Sequence, residues 1–115
     1  MGRRKEKKLT KNKSAAPASS HLYQDFSIHP ASDSELPLWR SLAETLFKNS
    51  SIELGANDTL LLAFASTNEP VGFVHLRPSP SFILLAGIGV IPTWQGRGVG
   101  RAELEAAMEN AEEEL

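Results

Sequence analysis

The sequence predicts an α+β fold in which a strand and a helix precede three antiparallel strands and a second helix. Two short apolar segments, residues 59–65 and 71–77, flank a polar turn that contains Pro70, a pattern typical of a hairpin. A longer apolar run follows at residues 82–91, and helical periodicity covers residues 99–115. The length of 115 residues suits one small domain.

The first strand and the first helix are predicted before residue 48. Residues 22–28 predict a strand, because the apolar residues Phe26 and Ile28 stand at alternate positions, and Pro30 should help to end this strand. Ser32 and Glu35 have the spacing of a capping box, and Pro37 suits a first helical turn, where its missing N–H is not needed. The predicted apolar face of the helix comprises Leu38, Trp39, Leu42, Ala43 and Leu46.

The remaining elements are predicted from the second half of the chain. Residues 49–58 are polar and predict a loop, with a short helical turn at residues 52–54. The run 82–91 is the long central strand, in which Gly87 and Gly89 predict a bulge or a close approach by a ligand. The apolar face of the last helix is predicted at Val99, Leu104, Met108, Ala111 and Leu115.

A glycine-rich segment joins the central strand to the last helix. Residues 95–100 read Gln-Gly-Arg-Gly-Val-Gly. Such a turn leaves backbone N–H groups free, and the first N–H groups of the helix lack partners, so the junction can bind an anion. Arg97 and Arg101 can add charge-assisted contacts to phosphate. The Walker pattern is absent, and the dinucleotide fingerprint fails because Arg101 stands where its third glycine belongs.

This segment resembles the acetyl-CoA pyrophosphate loop of the GNAT family of N-acetyltransferases, with its Gln-x-x-Gly-x-Gly pattern. The preceding Val90-Ile91-Pro92 and Trp94 agree with that resemblance. The element order also follows the first two-thirds of the GNAT fold over about residues 22–115. The resemblance implies a GNAT-like mixed sheet with flanking helices, in the order β-α-β-β-β-α, with an incomplete C-terminal part. Three glycines at the start of a helix destabilise that helix. A turn that carries them without binding a ligand is therefore disfavoured.

The resemblance further implies an N-acetyltransferase that uses acetyl-CoA as co-substrate. The acetyl group would pass directly to a primary amine, with both substrates bound together. Backbone groups of Ile88, Gly89 and Val90 would pair with the pantetheine arm. The pyrophosphate would be held by Gln95, Gly96, Arg97, Gly98, Val99, Gly100 and Arg101. No metal is implied, and the sequence contains no metal-ligand spacing.

The sequence does not identify the catalytic acid and base that amine acetylation needs. His75 in the hairpin and Glu53 in the loop after the first helix are the candidates for a base. Each also has a plainer interpretation, as a structural histidine and as a solvated loop carboxylate. Residues 82–91 contain no acidic side chain, and the single tyrosine, Tyr23, lies in the first strand. Tyr23 therefore does not match the tyrosine that often protonates the thiolate in this family.

The chain departs from the family at its C-terminal end. A complete member continues with another strand, another helix and a final pair of strands, whereas this sequence ends at Leu115. The apolar strand 82–91 would then have one unpaired edge. We expect either a shortened chain or a partner, a second copy or a strand-completing protein, that covers this edge. A non-catalytic acyl-CoA-binding remnant is therefore the alternative function. Glu103 also stands where helical spacing would accept an apolar residue.

The charge distribution is uneven. Residues 1–13 have a net charge of +6, from seven Lys or Arg and one Glu, and the remaining residues have −8. The acidic body favours a cationic acceptor, a small-molecule or protein amine, over a nucleic-acid-binding core. Residues 1–20, basic and then Ser/Ala/Pro-rich, predict a disordered tail before a partial GNAT-like domain at 21–115.

The basic tail leaves two further interpretations open. The first is a nucleic-acid-binding protein that acts through residues 1–13. The second is a nuclear location instead of the expected cytoplasmic one. No apolar run approaches membrane-spanning length, so we expect no membrane partner. There are no cysteines, which excludes disulfides and thiolate metal sites within this sequence.

Overall fold

The described part of the chain forms one five-stranded sheet with a helix packed on each face. It comprises residues 21–23, 25–48 and 51–114 of a computed structural model. The predicted tail, residues 1–20, lies outside it. The strands are β1 (His21–Leu22), β2 (Phe26–Pro30), β3 (Thr59–Ala65), β4 (Pro70–Pro78) and β5 (Ile83–Val90). The helices are α1 (Leu36–Leu46) and α2 (Val99–Glu114), and neither is long and apolar enough to cross a membrane.

The sheet follows chain order, β1-β2-β3-β4-β5, and every described pairing is antiparallel. The parallel pairing that a mixed sheet requires is not present among the described residues. The predicted hairpin is confirmed as β3 and β4, and its turn contains Asn68 at φ 72°, a left-handed conformation that asparagine tolerates. The order places β5 at one edge of the described sheet.

Alternate strand residues divide the core between the two helices. The α2 face is the larger; it includes Phe26, Ile28, Leu61, Ala63, Val71 and Val74 from the strands. The α1 face contains Trp39, Ala43, Leu62 and Phe73. Because side chains of a strand point alternately to opposite faces, Leu61 and Leu62 lie in different cores.

Trp39 fixes α1 over the middle of the sheet. Its side chain is fully buried, and its Nε1–H donates to the carbonyl oxygens of Leu61 at 3.1 Å and Val74 at 3.2 Å. The ring meets Phe73 edge to face, with 5.5 Å between the centroids. A buried indole N–H without an acceptor would cost about 1–3 kcal/mol, so these bonds specify where α1 packs.

The start of α1 confirms the predicted capping box. The backbone N–H of Ser32 donates to Glu35 Oε1 at 2.9 Å, and Pro37 lies in the first turn of α1. The predicted apolar face is correct for Trp39 and Ala43, which are buried. It is wrong for Leu38, which is 38% exposed because the stripe that meets the sheet is centred on Trp39.

Two predictions about irregular segments are wrong. The first strand is not continuous: β1 and β2 pair with each other, and β2 extends through Pro30. Pro30 is tolerated because Ala31 N donates to Leu60 O, which by alternation turns the nitrogen of Pro30 away from β3. The helical turn at residues 52–54 does not form; this segment is irregular, and Arg40 Nη1 donates to Ile52 O at 2.6 Å.

The predicted irregularity in the central strand is confirmed as a register shift between β4 and β5. His75 pairs with Gly87, whereas the next residue, Leu76, pairs with Leu85. The close approach at Gly89 comes from the protein itself and not from a ligand. A Cβ at Gly89 would lie 2.7 Å from Cε1 of Phe73, which leaves no room for a side chain.

The predicted apolar face of α2 is correct for Val99 and wrong for Leu104 and Met108, and Ala111 is half-buried. Leu104 and Met108 are 46% and 58% exposed. The buried positions carry mostly small side chains, which let the helix approach the sheet closely; they are Val99, Ala102, Glu103, Ala106, Ala107 and Asn110. Residue 115 lies outside the described part.

Among the described residues, Glu103 is the one with a carboxylate side chain that α2 buries in its core. Its side chain is fully buried, and neither carboxylate oxygen has a hydrogen-bond partner among the described residues. It fits because Gly72 has no side chain; a Cβ at Gly72 would collide with Glu103 Oε2. Burial raises the pKa of Glu103 to about 9, so the carboxyl group is protonated at neutral pH.

We expect Glu103 to make stability fall as pH rises. Between its ordinary pKa of 4.5 and about 9, the unfolded state releases a proton that the folded state keeps. This contribution lowers the unfolding free energy by about 1.4 kcal/mol per pH unit. Glu103→Gln should remove that slope, so denaturation curves of the two proteins should diverge as pH rises from 5 to 9. Parallel stability profiles would contradict the assignment.

Candidate functional site

The loop between β5 and α2 has the backbone geometry of an anion site. Gly96 and Gly98 have φ angles of 79° and 91°, and a Cβ at either would meet nothing within 4 Å. These glycines are therefore needed for backbone conformation and not for packing. The helical hydrogen bonds begin with Ala102 N to Gly98 O at 3.0 Å, so the N–H groups of residues 99–101 have no partner within the helix.

Side chains tie this loop to the end of β5. Gln95 Nε2 donates to Val90 O at 3.1 Å, a contact that holds the turn against the end of β5. Trp94 packs edge to face against Phe26, with 6.5 Å between the ring centroids.

The two arginines differ in their surroundings. The Arg97 guanidinium lies over the Trp94 ring, 3.7 Å from its centroid. Arg101 is solvent-exposed and is 3.7 Å from the Glu105 carboxylate. Both belong to the loop or to the first turn of α2, where positive charge adds to the field of the helix N-terminus. Their contact with phosphate stays a prediction.

The outer edge of β5 presents backbone groups that the described strands do not use. Ile91 N donates to Val71 O at 2.9 Å, so by strand alternation Gly89 also faces β4. Ile88 and Val90 then turn their N–H and C=O groups to the other side. No described strand pairs there, so an extended molecule that carries amide groups has an edge with which to pair.

His75 belongs to a buried ionic cluster on the α1 face. Its Nε2 is 2.6 Å from Asp58 Oδ2, and the two side chains are 5% and 3% exposed. Arg77 donates to the same carboxylate through Nη2 at 2.9 Å and Nε at 3.2 Å, and Gly55 N donates to it at 2.9 Å. Asp58 therefore has three different donors around one carboxylate.

These donors keep Asp58 ionised. Burial raises the pKa of the Asp58 carboxyl, but the hydrogen bonds from Arg77, His75 and Gly55 together outweigh it and hold the pKa well below its usual value. Asp58 and Arg77 are not among the site residues predicted from the sequence. The hairpin register could have found them, because Thr59 pairs with Leu76, which puts Asp58 opposite Arg77.

A cleft of about 460 Å³ brings together both candidate bases from the sequence. His75 forms part of its wall, and Glu53 is an exposed residue at the same cleft. The complete lining is Phe47, Ser51, Ile52, Glu53, Phe73, His75, Arg77 and Ala86. Within the described ranges, no group of three or more His, Cys, Asp or Glu residues could hold a metal ion.

β5 connects the cleft with the glycine-rich loop. His75 pairs with Gly87, one residue before Ile88, and β5 then runs through Val90 into the loop. The cleft wall, the open strand edge and the anion site therefore follow one another along a single strand. This order suits a long ligand that carries a phosphate at one end and a reactive group at the other.

Comparisons with known proteins agree with this geometry. The acetyltransferase (GNAT) family model matches residues 19–114. The solved aminoglycoside antibiotic 6'-N-acetyltransferase AAC(6')-Ih from Acinetobacter baumannii is 21% identical, with a TM-score of 0.61 over 76% of this chain and 71% of that one. Nourseothricin acetyltransferase is 17% identical, with a TM-score of 0.62 over 78% of this chain and 68% of that one.

A third similar structure is a GCN5-related glucosamine N-acetyltransferase region of a fungal multi-domain GH3 β-N-acetylglucosaminidase. It is 22% identical, with a TM-score of 0.58, and the match covers 85% of this chain and 13% of that one. At these identities the likeness to the solved structures establishes the fold. The comparison with curated proteins finds no match.

We expect Asp58→Asn to destabilise the protein by about 3 kcal/mol at pH 7, because Arg77 and His75 lose a buried charged partner. The lowered pKa of Asp58 stabilises the fold above its ordinary pKa of 3.8, and this stabilisation is lost as pH falls below it. The difference from wild type should therefore shrink in chemical denaturation at pH 3. Asp33→Asn, at an exposed position, is the control and should change stability by less than about 0.5 kcal/mol. An equal loss at both pH values would contradict this account.

Proposed function

Because the chain belongs to the GNAT family of acetyltransferases, we propose that it transfers an acetyl group from acetyl-CoA to a primary amine, with both substrates bound together. The observation that carries this proposal is the loop before α2. It combines two left-handed glycines in open space with a helix start whose first N–H groups lack helical partners. A pyrophosphate offers several acceptor oxygens to such a set of donors.

In this proposal the loop holds the pyrophosphate. The backbone N–H groups of residues 96–101 point donors at the anion, and the helix dipole adds partial positive charge. Arg97 and Arg101 supply the full positive charges, and Gln95 keeps the loop in place through Val90 O. The glycines are essential because any side chain at Gly96 or Gly98 would occupy space that the ligand needs.

The pantetheine arm would run along the open edge of β5. The N–H and C=O groups of Ile88 and the N–H of Val90 pair with its amides, as a further strand would, whereas the Val90 carbonyl oxygen accepts from Gln95. Gly89 faces β4 and contributes to the register, not to ligand pairing. A backbone N–H on this edge would also stabilise the oxyanion that forms when the amine attacks the thioester carbonyl.

The acceptor is an amine that reaches the cleft on the α1 face. The net charge of −8 outside residues 1–13 attracts cations from a distance, and Glu53 adds a carboxylate at the cleft itself. The structural neighbours are named for acetylation of aminoglycosides, nourseothricin and glucosamine. These three amines are therefore the first acceptors to use as probes, before protein amines.

A second candidate function is acetyl-CoA binding without transfer. It is favoured by one observation: no described strand covers the outer edge of β5, so the edge proposed for the pantetheine arm has no strand on its far side. The two functions share the loop and differ only in turnover.

We expect acetyl-CoA to bind the full chain saturably in calorimetry, and Gly98→Ala to weaken that binding at least about tenfold. The added methyl group strains a residue at φ 91° by about 1 kcal/mol and places a carbon where the phosphate approaches. Asn68→Ala is a matched control, because Asn68 also has positive φ but lies in the β3–β4 turn. It should lose similar stability and keep its affinity.

Thiol release from acetyl-CoA with each of the three amines then separates the two functions. Amine-dependent release supports transfer, and binding without release supports the binding-only alternative. A folded chain that does not bind acetyl-CoA would overturn both proposals.

A further inference from the structure

The hydrogen bond to Asp58 determines which nitrogen of His75 is basic. An ionised carboxylate only accepts hydrogen bonds, so His75 must donate from Nε2 across the 2.6 Å contact. A neutral imidazole with its proton on Nε2 keeps the lone pair on Nδ1. Within the described part of the chain, no hydrogen bond reaches Nδ1. The neutral ring is therefore fixed in the tautomer that can accept a proton there.

Asp58 is in turn held so that it cannot rotate away. Arg77 binds it through two nitrogens, and Arg77 Nη2 also donates to the carbonyl oxygen of Glu53 at 2.8 Å. From α1, Trp39 meets the His75 ring edge to face at 5.4 Å. The ring is thus confined by a carboxylate on one side and an indole on another.

The charged groups around His75 have a definite arrangement. Asp58 is hydrogen-bonded to Nε2 of the ring. Arg77 is on the same strand two residues away, and Glu53 is exposed at the cleft. From α1, Trp39 contacts the ring, while Arg40 and Glu44 pair with each other and bind the backbone of Ile52 at the cleft. β5 supplies the uncharged Gly87 opposite His75. Asp58 and Arg77 neutralise each other. The groups at the cleft that would contact a cationic amine are therefore the His75 imidazole and the Glu53 carboxylate.

The position of His75 in the sheet relates it to the proposed thioester site. His75 and Gly87 are paired, and neighbouring strands lie about 4.8 Å apart. Gly87 has no side chain, and a Cβ there would lie 3.2 Å from the rings of Phe47 and Phe73. The next residue along β5, Ile88, is the first whose backbone faces the open edge.

We propose that His75 is the base that removes a proton from the acceptor ammonium group in this cleft, and that Asp58 and Arg77 are positioning residues. The proposal rests on the proposed acetyl transfer. Nδ1 of His75 takes one proton from R–NH₃⁺, and the free amine attacks the thioester carbonyl. The C–N bond forms, the C–S bond breaks, and the second departing proton of the nitrogen neutralises the CoA thiolate. His75 then releases its proton to solvent.

The test compares His75→Gln with wild type in amine-dependent thiol release, using acetyl-CoA and the aminoglycoside, nourseothricin and glucosamine probes. We expect kcat/KM to fall about 10²–10³-fold and the acid limb of its pH profile to disappear, while the Kd of acetyl-CoA stays unchanged. His29→Gln is the matched control. His29 also contacts a carboxylate, Glu35 Oε2 at 3.4 Å, but it does not line the cleft, so kcat/KM should stay within about twofold.

Imidazole nitrogen NMR on the unmodified chain supplies a readout that does not depend on the variant folding. At neutral pH, His75 should carry its proton on Nε2, and Asp58→Asn should reduce that preference and lower kcat more than it changes KM. A proton on Nδ1 in the wild type, or a His75→Gln variant with unchanged rate and acid limb, would overturn the proposal.

A failure of the proposed acetyl transfer gives different results from a failure of the assignment of His75 as the base. If the wild-type chain binds acetyl-CoA but none of the probes gives turnover, acetyl transfer fails and the base assignment falls with it. If the wild-type chain does not bind acetyl-CoA, the loop assignment fails first.

Discussion

The pairing of β5 with β4 is the constraint on which the candidate site depends. It directs the backbone of Ile88 and Val90 to the open edge, and it puts His75 opposite Gly87 on the α1 face. Because side chains alternate along a strand, a slip of one residue would turn every one of these groups to the wrong side. The register shift falls before Gly87 on β5. Residues 87–90, which lead to the loop, therefore pair regularly with β4.

The close packing of α2 has a structural benefit and a thermodynamic disadvantage. Small residues such as Ala102 and Ala106 bring the helix against the sheet, so its N-terminus begins directly beside the end of β5. The same close packing buries Glu103 against Gly72, where the carboxyl group has no partner. An uncharged, protonated Glu103 is compatible with this core, whereas the ionised form is not.

The sequence predicted the parts of the fold that depend on local chemistry. The strand Thr59–Ala65, the capping box at Ser32 and the loop before α2 follow from alternation, side-chain capping and glycine conformation. It did not predict which face of α2 packs, because hydrophobic spacing favoured Leu104 whereas the sheet accepts smaller side chains. The Asp58–Arg77 pair was missed because the predicted hairpin was not given a register, whereas the contacts of His75 with Trp39 of α1 join residues that no local pattern relates. Those long-range contacts are where sequence patterns alone stop being informative.

The stacking of Arg97 on Trp94 gives the loop a built-in optical reporter. The chain contains two tryptophans, and Trp39 is fully buried far from the loop in sequence, whereas Trp94 lies directly under the guanidinium group. A cation over an indole face perturbs its electronic states, and that contact changes if a phosphate draws the guanidinium away. A phosphate ligand that moves the guanidinium would therefore change the emission of Trp94, and its arrival could be followed on the unlabelled protein in real time.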